Sequence, residues 1–154
     1  MTRLNGEQTV VTVGRRDTDG AYAVRENIAP PDFRRVPLHI HRRAEEAFYV
    51  LAGELAVLAD GQRVDAPAGA FVLIPRGTTH ALANLASRPV RWLTLISPAA
   101  ESEWIEAEEE LLAAGGEPDP AALAAIHHRF GLELVGPPPD WTPGGAGSAA
   151  AGPR

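Results

Sequence analysis

The sequence predicts an all-β barrel followed by two α-helices and a flexible tail. Three observations carry that reading. From about residue 7 to 97, short apolar runs alternate with turn residues. After Ser97 the punctuation becomes that of helices, and from Pro137 onward Pro, Gly and Ala dominate.

Within the first stretch the clearest strands are Val10 to Val13, Ala21 to Ile28, Ala47 to Leu51, Glu54 to Leu58, Phe71 to Ile74 and Val90 to Ile96. Asp60-Gly61 favours the positive φ angles of a tight hairpin between two runs. Pro67-Ala68-Gly69 and Pro75-Arg76-Gly77 are further turns. Ser97-Pro98 reads as an N-cap with proline at the first helical position, opening a helix over Glu101 to Ala114 that Gly115-Gly116 stops. Asp119-Pro120 repeats the start signal for a second helix, which runs to Phe130 and ends at Gly131. A short strand or extended piece over Leu132 to Val135 follows. The expected organisation is therefore a barrel over 1–97, a helical extension packing on it over 98–136, and a flexible tail over 137–154.

Composition narrows the function classes. A chain of 154 residues with 45% apolar content suits one globular domain. Its net charge of −6 and scattered arginine pairs argue against a nucleic-acid partner. There is no cysteine, which removes thiolate nucleophiles and Cys-ligated metal sites. All fourteen basic residues are arginine, which removes Schiff-base chemistry and a lysine base. No apolar run is long enough for a signal h-region or a membrane span, so a cytoplasmic protein without a membrane partner is expected.

Chemistry concentrates on three histidines and one glutamate. His39 and His41 are two apart, so on a strand both imidazoles face the same side. Glu46 follows a short polar loop, and His80 comes just past the Pro75-x-Gly77 turn. Three imidazoles and a carboxylate suit one divalent transition metal ion: iron, nickel, manganese, copper, cobalt or zinc. Glu45, on the opposite strand parity, is expected to be solvated. Phe48 and Val50 share parity with Glu46 and should point into the barrel, with Phe48 either a pocket wall or core. His127-His128 and the acidic run Glu106, Glu108, Glu109, Glu110 are expected on solvated helix faces. Trp104, Ile105, Leu111, Leu123, Ile126 and Phe130 should be packing faces, some capping the barrel mouth. Arg43 and Arg76 read as surface residues.

These residues fall into two motifs that resemble those of the cupin superfamily. The first, H-x-H-x4-E-x6-G, is matched by His39, His41, Glu46 and Gly53. The second, G-x5-P-x-G-x2-H-x3-N, is matched by Gly69, Pro75, Gly77, His80 and Asn84. One departure is Phe33, where the pattern has a turn glycine. The resemblance implies a double-stranded β-helix, or jelly roll, with His39, His41, Glu46 and His80 as metal ligands. It also implies a homodimer.

Within the superfamily, the stretch from Pro37 to Leu55 looks most similar to quercetinase-like (flavonol 2,4-dioxygenase) single-domain cupins. That likeness implies a dioxygenase acting on a flavonol or related polyhydroxylated aromatic, with a small-molecule substrate and O2 as partners. Glu46 would then double as catalytic base. Two other readings stay open: a non-oxidative cyclase or isomerase on an aromatic polyketide or enolisable ketone, and a non-enzymatic small-molecule binder.

Overall fold

A computed structural model of the chain describes residues 2–4, 7–113 and 119–142. Its strands are β1 (Thr2–Leu4), β2 (Glu7–Val13), β3 (Ala23–Ala29), β4 (Leu38–His41), β5 (Glu45–Ala52), β6 (Glu54–Ala59), β7 (Gln62–Pro67), β8 (Phe71–Ile74), β9 (His80–Ala83), β10 (Val90–Ser97) and β11 (Leu132–Gly136). Two helices, α1 (Trp104–Ala113) and α2 (Pro120–Arg129), lie between β10 and β11. The strands form two antiparallel sheets, β1-β2-β3-β10-β5-β8 and β11-β4-β9-β6-β7. This is the all-β, two-sheet architecture expected from the sequence, with two C-terminal helices.

Strand alternation divides each strand between an inner and an outer face. Phe48, Val50, Leu55, Val57, Ile74, Val90 and Trp92 interdigitate between the sheets with Ala29, Phe33 and Leu82. Phe48 is fully buried there as core packing. Removing a core side chain of this kind costs about 2–5 kcal/mol. On β6 both faces are buried, because Ala56 and Leu58 pack on the outer side with Ala81, Ala83 and Trp141. Trp141 belongs to an extended segment after β11 and is only 5% exposed. The flexible tail expected from Pro137 thus begins with an anchored piece, since one indole buries enough apolar area to hold a short segment. The rest of that tail, 143–154, lies outside the described residues.

The turns show why the motif residues are needed. Gly53 joins β5 to β6 at φ 81, and a Cβ there would lie 3.0 Å from the Pro89 carbonyl oxygen and 3.2 Å from Val90 Cα. Asn84 is a staple: its amide donates to the carbonyls of Pro30 (2.8 Å) and Arg88 (2.7 Å) and accepts from Ala86 N (3.0 Å). Phe33 stands where the motif has glycine, and its backbone accepts from Asn84 N at 2.8 Å. The left-handed residue of that turn is Asp32, at φ 54, one place earlier. Phe33 can therefore keep ordinary geometry and place a ring in the core.

Past β10 the chain departs from the expected helix start. Ala99–Ser102 forms a single 3-10 turn capped by extended Pro98, and α1 begins only at Trp104. The Ser102 hydroxyl donates to Ala99 O (2.9 Å), closing this turn separately from α1. The expected stop at Gly115-Gly116 lies outside the described residues. Helix α2 starts as expected, with the Asp119 carboxylate accepting from Ala121 N (2.9 Å) and proline at the first position. Phe130 caps its end and Gly131, at φ 63, turns the chain into β11. Because β11 pairs with β4, the helical extension also adds a strand beside His39 and His41.

Candidate metal centre

The four residues singled out by spacing converge. His39 and His41 are inward residues of β4, Glu46 of β5 and His80 of β9. His39 pairs directly with His80 across the β4–β9 ladder. One donor atom from each of the four lies within 4.8 Å of the others. All four are buried, His80 completely. The Glu46 carboxylate joins them, with Oε2 at 3.0 Å from His80 Nε2 and 3.4 Å from His41 Nε2.

Backbone carbonyls orient two of the rings. His39 Nδ1 donates to Pro37 O (2.9 Å) and His80 Nδ1 donates to Thr78 O (3.0 Å). Each ring therefore presents Nε2 inward, the arrangement that fixes tautomer and direction for a metal ligand. His41 Nδ1 is buried and has no partner among the described residues. The loop carrying His80 is held by Gly77 N to His41 O (2.9 Å), Asp60 N to Thr79 O (2.8 Å) and Thr79 N to Asp60 Oδ1 (3.0 Å).

The electrostatics suit a cation. Burial pushes His39 down to about 3, helped by the neighbouring His80 charge, so its ring is neutral. Burial alone would raise Glu46, but hydrogen bonds from His41 and His80 hold it below the usual carboxylate range. Burial would lower His80, yet the hydrogen bond and charge of Glu46 prevail and raise it. A carboxylate and three inward nitrogens at this separation fit a divalent transition ion.

Above the group lies a cavity of about 200 Å³. Phe33, Val36, Leu82, Trp92, Ile96 and Leu132 give it apolar walls, and Trp104 and Ile105 of α1 close over it. The helices thus cap the barrel mouth. Four ionisable residues of the lining, Glu7, Arg25, Glu108 and His127, were not expected there from the sequence. Glu7 enters from β2; burial and the Glu46 charge push it up to about 8, against a hydrogen bond from Thr9. Glu108 was expected on the wet side of α1, yet is 8% exposed and hydrogen-bonded to His127 of α2, which also lines the cavity. A helical wheel would have placed Glu108 one turn beyond Trp104, on the same face. Nothing local to Glu7 signals its burial. The remaining expectations are simpler: Glu45 is exposed and pairs with Arg76, Arg43 pairs with Glu101, and His128 is exposed.

Comparison with known proteins agrees with the fold. Residues 27–96 match the Cupin domain family. A quercetin 2,3-dioxygenase from Bacillus subtilis (strain 168) is 32% identical over 78 residues, which cover 50% of this chain and 23% of that protein. The match thus spans less than a quarter of that relative. Among solved structures, KdgF from Halomonas sp. superposes with a TM-score of 0.55 at 18% identity, covering 64% of this chain and 84% of the other. The polyketide cyclase RemF from Streptomyces resistomycificus gives 0.53 at 21% identity, covering 60% and 65%. At these identities the structural likenesses speak to fold alone. The chain is thus similar to the Cupin domain family over residues 27–96 and to a quercetin 2,3-dioxygenase over 78 residues.

Proposed function

We propose that this protein is a metal-dependent cupin dioxygenase acting on a small polyhydroxylated aromatic. The observation that carries the proposal is the placement of Glu46, a carboxylate shared by two imidazoles in the lining of a largely apolar cavity. A divalent ion held by His39, His41, Glu46 and His80 would supply Lewis acidity and a template for substrate and O2. Glu46, held ionised by its neighbours, is the group able to accept a phenolic or enolic proton. The similarity to a quercetin dioxygenase over 78 residues supports the same chemistry.

Size and polarity narrow the substrate. The cavity of about 200 Å³ is below the roughly 300–1,000 Å³ usual for drug-sized ligands, which favours one or two rings over a three-ring flavonol. Thr94 supplies a directed contact. Asn27 Nδ2 (2.8 Å) and Trp92 Nε1 (3.0 Å) both donate to Thr94 Oγ1, so its own hydrogen points away from both. Thr94 lines the cavity and can donate to a substrate carbonyl.

The test is oxygen uptake by protein reconstituted with each of iron, nickel, manganese, copper, cobalt and zinc, offered catechols and flavonols. Uptake with one of the first five ions and a one- or two-ring substrate is expected, and Glu46→Gln should lower kcat about 100-fold or more while keeping most of the metal. Absence of uptake with every ion and substrate overturns the proposal. Turnover without O2 would instead indicate a cyclase or isomerase.

A further inference from the structure

The cavity contains an ionisable pair that the metal group does not use. Glu108 on α1 and His127 on α2 are joined by a hydrogen bond between Glu108 Oε1 and His127 Nε2, and both line the cavity. Their side chains are 11% and 15% exposed. His127 also lines a groove on the outside of the lid, bordered by Arg42, Arg43, Leu123 and His128, and Glu108 does not. The imidazole therefore stands in the wall between interior and exterior, with the carboxylate on the interior side. An imidazole can accept a proton at one nitrogen and release one from the other near neutral pH. Nε2 is taken by Glu108, and no hydrogen bond joins Nδ1 to any of the described residues.

We propose that Glu108 and His127 form a proton relay between the cavity and the outer groove, serving the proton that Glu46 removes from substrate. This rests on the function proposed above. In the step, with His127 holding a proton on each ring nitrogen and its Nε2–H donated to Glu108, a protic group in the cavity gives a proton to the Glu108 carboxylate. The proton already on Nδ1 then passes to water in the groove. One proton moves outward, no heavy-atom bond changes and nothing is oxidised or reduced.

The surroundings favour this use of the pair. His127 lies in the last turn of α2. The arginines of the groove are already neutralised, Arg42 by Glu133 (2.6 Å) and Arg43 by Glu101 (3.2 Å), so they oppose a charge on His127 only weakly. His128 is exposed beside it, and the Trp104 ring stands edge-on to His127 at 6.5 Å between centroids. The competing assignment is a purely structural tie between the two helices.

The test uses the full chain loaded with zinc and 4-nitrocatechol, whose binding releases a proton that an indicator dye follows in a stopped-flow instrument. In His127→Gln and Glu108→Gln the affinity for the probe should stay within about twofold, while proton release slows about tenfold or more. Added imidazole should restore the rate in His127→Ala, which a structural tie would not predict. Release at the wild-type rate, or loss of probe affinity in both glutamine variants, overturns the relay and leaves the pair as a tie. If the wild-type protein binds the catechol with none of the six ions, the proposed function fails and the relay with it. If binding is normal and only the release rates match wild type, the relay alone falls.

Discussion

His39 and His80 each hand Nδ1 to the carbonyl two residues earlier, whereas His41 Nδ1 has no partner among the described residues. A ring whose direction is fixed by its second nitrogen holds a metal better, typically by 10–100-fold. Replacing His39 or His80 by alanine should therefore cost about 10-fold more metal affinity than replacing His41, as competition against a chelator would show. Affinity should also depend on pH in a definite direction. Both His80 nitrogens face acceptors, Thr78 O and Glu46 Oε2, so the ring holds a proton above its ordinary range. An incoming ion must displace that proton, so affinity should fall with acidification by about tenfold per pH unit below the His80 pKa. A pH-independent affinity would mean that His80 stays outside the coordination. At the same scale, Thr94→Val removes the one hydroxyl hydrogen directed by Asn27 and Trp92. It should raise KM for carbonyl-bearing substrates several-fold, a cost of about 1 kcal/mol, and leave catechols without a carbonyl unaffected.

At the scale of elements, the lid depends on one buried guanidinium. Arg25 of β3 is 3% exposed, and its Nη2 donates to Ser102 O (2.7 Å) and to Glu106 (2.7 Å), tying β3 to the 3-10 turn and to α1. Arg25→Met keeps much of the volume but releases that tie, leaving Ser102 O short of its donor. Because Glu106 is partly exposed, the expected cost is about 1–3 kcal/mol rather than that of a fully buried pair. Amide exchange should speed up over Trp104–Ala113 while β5 and β10 stay protected, and uniform acceleration would place the tie in the global core instead. Much of the framework was legible because its signals are local: His39-x-His41 needs only strand alternation, and Gly53 and Asp60-Gly61 mark turns through their own backbone angles. What was not legible comes from partners far away in sequence. Strand β7, Gln62–Pro67, is largely polar outside a sheet, and β9 is only four residues long. Glu108 looked solvated until α2 brought His127 against it, and Trp141 looked idle in a Pro-rich stretch until the outer face of β6 and β9 received it.

For the whole molecule, two cavity residues oppose each other in setting how stability varies with pH. Glu7 is raised from 4.5 to about 8, so the folded state keeps a proton that the unfolded chain releases above 4.5. Its contribution is fully present below 4.5 and is lost as pH rises through 8. His39 is lowered from 6.5 to about 3, so its contribution is present above 6.5 and is lost as pH falls toward 3. Between 4.5 and 6.5 the two slopes have opposite sign and cancel. Above 6.5 the Glu7 loss stands alone except for His80, which is also raised and also loses its contribution as pH rises. Below 4.5 the His39 loss is joined by that of Glu46, which is held low. With a chelator present, the protein should therefore melt highest on a plateau between about pH 4.5 and 6.5, with each unmatched proton worth up to about 1.4 kcal/mol per pH unit outside it. Glu7→Gln cannot ionise, so it should make the alkaline decline about half as steep and leave the acid limb unchanged, a difference of several degrees in Tm by pH 8. Saturating zinc should flatten the same limb in the wild type, because a cation beside Glu46 offsets the charge that helps raise Glu7 and removes the proton from His80. If the melting curves of Glu7→Gln and wild type superpose from pH 6.5 to 8, Glu7 does not share the cavity with Glu46, and the path of β2 across the barrel mouth is wrong.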